Sequence, residues 1–312
     1  MRLLMLGAGG TGGYFGGRLA QAGADAAFLV RPARAALLRE RGLRIRSPLG
    51  DADVPVDALT AETLPAALAA TSFDLVLLSC KAYDLDSAMD AIAPAVEAGA
   101  AVLPLLNGLR HYEALDARFG FANVLGGLCF ISATLGADGE ILHLGKPASM
   151  TFGERVGQAP DARLRALAAA CARAGIDHEH TPDIAQAQWV KYGFLAALAA
   201  GTCLMRAPIG AIVAGEGGAA FMAALYEECL AVAAAEGHPI PAAAQATALE
   251  TLTKAGSPMK ASMLRDLEGG HRLEAAHIVG DMVHRASAHG LAVPRLHAAW
   301  VSLQACEAQR GG

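Results

Sequence analysis

The chain has 312 residues, 54% of them hydrophobic and 18% charged, with a formal net charge of -5. That length suggests two domains with cores large enough to need no staples, and 25 Lys and Arg against 30 Asp and Glu leave no basic surplus for a nucleic acid. The six cysteines, Cys80, Cys129, Cys171, Cys203, Cys229 and Cys306, lie far apart without a CxxC pair or the density of a secreted scaffold, and so read as buried thiols in a reducing cytoplasm.

The apolar start, residues 1–6, meets glycine at once and has no convincing cleavage site, so it is expected to be a first strand rather than a signal peptide. Short apolar runs at 3–6, 26–30, 75–79, 101–105 and 124–126 alternate with alanine-rich helical segments, the pattern of a parallel sheet covered by helices. Residues 141–144 and 149–152 are expected as short antiparallel additions, because no helix separates them. A helix is expected at 163–174, ending at Gly175.

The character changes at Thr181-Pro182-Asp183. Thr181 suits an N-cap, Pro182 a first helical position, and Asp183 the positive end of the helix dipole. Beyond it, segments 183–205, 216–236, 241–254, 258–268 and 273–289 carry helical spacing. The expected architecture is an α/β, Rossmann-type N-terminal domain with a parallel sheet over 1–180, then an all-α C-terminal domain over 181–312. The longest apolar stretch seen, 193–205, falls short of the roughly 20 residues that span a bilayer, so no membrane association is expected.

Gly7, Gly9 and Gly12 form a GxGxxG spacing directly after the first strand and at the head of a helix. The first glycine makes the tight turn, the second admits a pyrophosphate and the third lets strand and helix approach. Gly7-Ala8-Gly9-Gly10-Thr11-Gly12 is therefore the expected dinucleotide-binding loop, with the phosphates on amides at a helix N-terminus. At the end of the second strand, where an acid would hold the ribose of NAD, stands Arg31, followed by Arg34. Guanidinium groups pair with a 2′-phosphate, which points to NADPH; Arg31 is nearer the strand end, and Arg34 reads equally well as an exposed charge. Lys81 and Asn107 follow the third and fourth strands of the expected sheet, where ligands bind in such sheets.

In the helical half, Lys191 stands among Gly193, Phe194, Leu195, Ala196 and Ala197. Burial there would lower its pKa, which suits a proton donor near neutral pH, while a snorkelling lysine is the plain alternative. Ser262 and Asp266 share a helical face, and Glu274 follows a glycine turn.

Together, the N-terminal glycine fingerprint, Arg31, Lys81-Ala82-Tyr83-Asp84, Asn107-Gly108, Trp189-Val190-Lys191, Ser262-Met263, Asp266, Glu274 and the segment 289–294 resemble the ketopantoate reductase family over nearly the whole chain. The resemblance implies a cytoplasmic NADPH-dependent reduction of 2-dehydropantoate to pantoate, on the route to pantothenate and coenzyme A, in a site between a Rossmann domain and a helical domain. It implies that Lys191 is the general acid, that Glu274 binds the substrate hydroxyl, that Ser262 holds the carboxylate, and that Asn107 touches nicotinamide and substrate. It also expects asparagine where this chain has Leu195, Ala199 and Met259. A missing amide leaves a polar substrate group without its partner, so the alternative substrate is a less hydroxylated 2-oxo acid; a non-catalytic NADP(H) sensor is the reading from another class.

His277, Asp281 and His284 share a face with Glu274 but have no further ligand cluster, so no metal is expected. His178 and His180 read as solvated, and no GxSxG elbow suggests a hydrolase. A homodimer is the default assembly, since symmetric dimers are the commonest soluble oligomers, although the small-residue helix faces suit internal packing as well.

Overall fold

In the computed structural model, which describes residues 1–310, the chain divides into two compact units. Residues 1–106 and 111–184 form the first; residues 107–110 join the chain from 185 onward in the second.

The first unit runs β1 (Arg2–Leu6), α1 (Gly10–Gln21), β2 (Asp25–Leu29), α2 (Pro32–Arg41), β3 (Leu43–Arg46), β4 (Ala52–Val54), β5 (Asp57–Leu59), α3 (Leu64–Ala70), β6 (Leu75–Leu78), α4 (Leu85–Glu97) and β7 (Ala101–Pro104). It continues with α5 (His111–Phe119), β8 (Gly126–Leu135), β9 (Ile141–Gly153), α6 (Ala162–Arg173) and β10 (Asp177–His180). Five strands form a parallel sheet in the order β5-β2-β1-β6-β7. Leu3, Leu4, Met5 and all four residues of β6 are buried on both faces, as the continuous apolar runs of a helix-covered parallel sheet require.

A second sheet runs β10-β9-β3-β4, with β8 antiparallel to β9. Helix α1 lies between the two sheets. A Cβ at Gly16 would meet Met5 Cγ at 2.7 Å on one side, and a Cβ at Gly17 would meet Ile45 Cδ1 at 2.8 Å on the other. These glycines, which a phosphate loop does not need, let the helix backbone sit against close-packed side chains of both sheets.

This second sheet is where the sequence expectations need correction. Segments 141–144 and 149–152 are not separate additions but parts of one strand, β9. The break between them is a register irregularity, where Ile131 pairs Ala148 but Ala133 pairs His143. A bulge absorbs Gly145-Lys146-Pro147 without ending the ladder. At 124–126, Val124 makes only an isolated bridge to Val102, and the strand proper begins at Gly126. The unexpected strands β3, β4 and β10 of this sheet, and β5 at the edge of the parallel sheet, are three or four residues long, and β10 is the wholly polar Asp-His-Glu-His. Such segments carry too little alternation to be read as strands.

Beyond 184 only helices occur among the described residues: α7 (Ile184–Met205), α8 (Ile209–Ala214), α9 (Gly218–Ala235), α10 (Ala242–Leu252), α11 (Ser262–Glu268), a π-helical turn (Ala276–Gly280), α12 (Asp281–Ala288) and α13 (Pro294–Arg310). Thr181 Oγ1 accepts the Asp183 amide at 3.2 Å, but the helix starts at Ile184, so Pro182 precedes it rather than filling its first turn. The expected helix at 258–268 begins only at Ser262, and the one at 273–289 is non-helical through Glu274 and opens as a π turn. Helix α9, rather than 193–205, has the length and apolarity to cross a membrane. Its Met222, Leu225, Tyr226, Cys229, Val232 and Ala233 are nevertheless buried in the core of this unit, as in a core helix.

Candidate functional site

In the first unit the glycine loop follows β1. Gly7 adopts a φ of +89°, which favours glycine, and its amide donates to the Leu29 carbonyl at 2.9 Å, tying the turn to β2. Gly9 is the extended residue before α1, and no side chain caps that helix or places an acid in its first turn. A Cβ at Gly9 would meet no protein atom within 4 Å, whereas one at Gly12 would collide with Ser79 Oγ and with the Gly7 carbonyl. Ser79 Oγ itself donates to the Leu6 carbonyl at 3.2 Å. The second glycine thus leaves open space at the loop, and the third permits strand–helix contact. Ala8, Gly10 and Thr11 complete this turn, with helix starting at Gly10.

The two arginines after β2 separate clearly. Arg34 donates to the Ala8 carbonyl at 2.9 Å and to the Gly139 carbonyl at 2.7 Å, so it braces the glycine loop from behind. Burial, then the nearby Arg44, pull its pKa below the ordinary arginine value. It is not the exposed charge that the sequence suggested. Arg31 is 85% exposed in its side chain and lies 4.0 Å from an Asp84 oxygen. Lys81 is half-buried after β6 and opens the short 3-10 turn Ala82–Asp84.

The other named groups all belong to the second unit. Asn107 follows β7 in sequence but groups with the helices, and its Oδ1 accepts a hydrogen bond from Lys191 Nζ at 2.9 Å. Lys191 is only 9% exposed, so it is not a snorkelling surface lysine. Gly108 has a φ of +77°, and a Cβ there would stand 2.6 Å from the His277 carbonyl oxygen, which seats the 107–110 segment against the π turn. Glu274 is 6% exposed immediately before that turn, and its carbonyl accepts the amides of His277 and Ile278. Ser262 is half-buried at the head of α11, four positions before Asp266 in the same helix.

Several supporting residues had no signal in the sequence. Tyr192, fully buried beside Lys191 in the chain, donates its hydroxyl to the Ile278 carbonyl at 2.8 Å and to Asp281 Oδ2 at 2.9 Å. Burial, then Asp281, hold its phenol well above the ordinary value, so it remains a donor. Arg285 joins Asp281 at 2.8 Å and Glu236 at 2.8 Å. Its burial disfavours charge, but Asp281 and Glu236 outweigh this and raise its pKa. Asp281, considered above as a metal-site member, is thus engaged by a phenol and a guanidinium. His284 packs edge-on against Trp300.

His277 is held below the ordinary imidazole range by burial and then by Arg110. Thr202, with no exposed surface, donates to the Leu198 carbonyl at 2.6 Å, and its Oγ1 accepts the Ala261 amide just ahead of Ser262 at 3.5 Å. His178 and His180 are half-buried strand residues rather than solvated ones: the His178 ring stacks on Phe152, and His180, tilted against the same ring, lies 3.0 Å from Glu154. Among the described residues, no group of three His, Cys, Asp or Glu side chains gathers in metal-binding fashion.

Comparison with known proteins places these observations in context. The model of the ketopantoate reductase PanE/ApbA family matches residues 3–157, and the model of that family's C-terminal part matches 183–307. The uncharacterized oxidoreductase YkpB of Bacillus subtilis is 38% identical, over 99% of this chain and 100% of its own length. A 2-dehydropantoate 2-reductase of Halobacterium salinarum is 32% identical over 94% of this chain and 95% of its own. A crystal structure of a PanE/ApbA family ketopantoate reductase from Ralstonia eutropha superimposes with a TM-score of 0.88 at 29% identity, covering 100% of both chains.

Proposed function

Because the chain belongs to the ketopantoate reductase family, we propose that it is an NADPH-dependent reductase of a 2-oxo acid, with 2-dehydropantoate, reduced to pantoate for pantothenate and coenzyme A, as default substrate. The observation that carries this reading is the buried Lys191 bonded to Asn107 at 2.9 Å, in the unit that also buries Glu274.

The residues present fit a dinucleotide. The open space at Gly9 and the acid-free first turn of α1 suit a pyrophosphate on Gly7, Ala8, Gly9, Gly10, Thr11 and Gly12. The exposed Arg31 would hold the 2′-phosphate of NADPH, and Lys81 the adjoining part of the cofactor. When bound, the reduced nicotinamide supplies a hydride to the substrate carbonyl carbon. Lys191 then gives a proton to the oxygen that has gained negative charge and is left as a neutral amine, which solvent reprotonates. Asn107 Oδ1 accepts one Nζ hydrogen and so aims the others. In this assignment the Ser262 hydroxyl donates to the substrate carboxylate, and the Glu274 carboxylate accepts from the substrate hydroxyl.

A second reading concerns substrate choice. Leu195 and Ala199 follow Lys191 at four and eight positions along α7, one helical face, and they are apolar. Ala199 is 1% exposed, Leu195 is half-buried, and Met259 is 39% exposed. None can replace an amide, which favours an acid with fewer hydroxyls than 2-dehydropantoate.

NADPH oxidation with 2-dehydropantoate and a panel of less hydroxylated 2-oxo acids, run in parallel with NADH, tests both readings. Preference for another acid selects the second. Lys191→Ala should lose turnover and keep NADPH binding; full activity in that variant overturns the assignment. Absence of turnover with intact binding would identify an NADP(H) sensor.

A further inference from the structure

Three of the four site residues of the second unit, Glu274, Asn107 and Lys191, are tied through the chain to one irregular piece of backbone. Glu274 immediately precedes the π turn Ala276–Gly280. Asn107 is joined to Gly108, which approaches the His277 carbonyl of that turn so closely that a Cβ would not fit. Lys191 is joined to Tyr192, whose hydroxyl bonds the Ile278 carbonyl of the same turn. A π turn widens the helix by a residue and shifts its carbonyls out of the ordinary ladder. Here one of those carbonyls meets a buried phenol.

We propose that Tyr192 and Asp281 are positioning residues: the phenol, pinned to the π turn and to a carboxylate, sets the rotation of α7 and thereby the place of Lys191 Nζ relative to Asn107 and Glu274. The inference rests on the assignment of Lys191 as proton donor made above. A single hydroxyl proton is shared between Ile278 O at 2.8 Å and Asp281 Oδ2 at 2.9 Å, so the phenol is held in direction as well as in distance. Asp281 is in turn fixed by Arg285, which Glu236 holds from its other side, and Glu236 also meets His289 Nε2 at 3.0 Å. The Arg285 guanidinium lies 5.6 Å from the ring of Trp189, and that ring lies 5.6 Å from the Tyr192 ring. Residue 192 is thus locked through ring and hydroxyl, whereas the lysine beside it has a long flexible stem. Neither Tyr192 nor Asp281 acts on substrate; each works through Lys191.

Tyr192→Phe keeps the ring and removes the hydroxyl, and Asp281→Asn keeps the shape and removes the charge. Each is compared with wild type and with Lys191→Ala in steady-state reduction of the preferred 2-oxo acid, with NADPH binding measured by fluorescence titration. Thermal unfolding confirms that the assay temperature lies well below each midpoint. The expected result is a fall in kcat of about tenfold or more, with NADPH affinity and the substrate KM within about twofold of wild type. A residue that merely stabilises the fold would lower the unfolding midpoint and leave kcat of the folded enzyme unchanged. Wild-type kcat in folded Tyr192→Phe overturns the proposal, and if that variant does not fold, wild-type kcat in Asp281→Asn does so. Loss of turnover in Lys191→Ala alongside unchanged kcat in the other two defeats the positioning role alone. Retained turnover in Lys191→Ala defeats the underlying assignment and this role with it.

Discussion

Replacing Gly12 by alanine probes the coupling between the glycine loop and the strand beside it. The added Cβ would collide with Ser79 Oγ and stand 2.9 Å from the Gly7 carbonyl oxygen. The serine can rotate away at the loss of its 3.2 Å bond to the Leu6 carbonyl, worth about 0.5–1.5 kcal/mol. Gly7 cannot move so easily, because its amide is bonded to Leu29 and its φ is +89°. Overpacking of this kind costs about 1–3 kcal/mol. Carried into the glycine loop proposed above to bind the cofactor, it amounts to a roughly 5- to 150-fold rise in the NADPH dissociation constant. Fluorescence titration of NADPH measures it directly. Adding Ser79→Ala removes the hydroxyl collision and leaves the serine Cβ position at an ordinary 3.5 Å. The double variant should recover about fivefold of the lost affinity, the remainder reflecting the Gly7 contact. Wild-type affinity in Gly12→Ala, or no recovery in the double variant, would refute the reasoning.

Three further outcomes are expected. Arg31→Ala, at a side chain 85% exposed, should raise the KM for NADPH by about tenfold while leaving that for NADH and the unfolding midpoint unchanged; equal effects on both cofactors would remove Arg31 from the 2′-phosphate site. Gly17→Ala, which drives a Cβ into Leu43 and Ile45 of the second sheet, should cost about 1–3 kcal/mol in urea unfolding, and an unchanged midpoint would contradict the sandwiched position of α1. His277 titrates below its ordinary 6.5, through burial and then Arg110, with Arg272 acting in the same direction and Glu274 and Asp281 opposing. The unfolded chain therefore binds that proton more readily, so this group leaves stability undiminished above about pH 6.5 and lowers it as the pH falls toward the folded-state value. Urea unfolding across that range should show a shallower slope for His277→Gln than for wild type, and identical slopes would exclude the effect.

Much of the chain was legible without coordinates because its strongest features are local. The GxGxxG spacing, the apolar runs of β1, β2, β6 and β7, and the long helical periods of α7, α9 and α10 each announce themselves within a short window. Lys191 stood out because it lies in so apolar a neighbourhood that burial would lower its pKa toward that of a proton donor. Its hydrogen-bond partner could not be read, since Asn107 lies 84 positions away in the chain.

By itself, the sequence determined four strands of the parallel sheet, β1, β2, β6 and β7, and the helical second half, and it singled out Gly7–Gly12, Arg31, Lys191, Ser262 and Glu274 as the residues to examine. Tertiary structure alone decided the second sheet as a whole, because β3, β4 and β10 are short or polar and gain meaning only when the long β9 pairs β3 and β10, and β3 pairs β4. It alone explained Gly16 and Gly17, which are small because two sheets press on one helix. It also parted Arg34 from Arg31, turning one into a brace on the Ala8 carbonyl and leaving the other exposed. The π turn, and the Tyr192–Asp281–Arg285 chain attached to it, join residues up to 93 positions apart in α7 and α12. The physical reason is common to all of these cases. Periodicity reports which face of a segment is apolar, whereas hydrogen-bond partners and close backbone approaches arise only when distant segments meet.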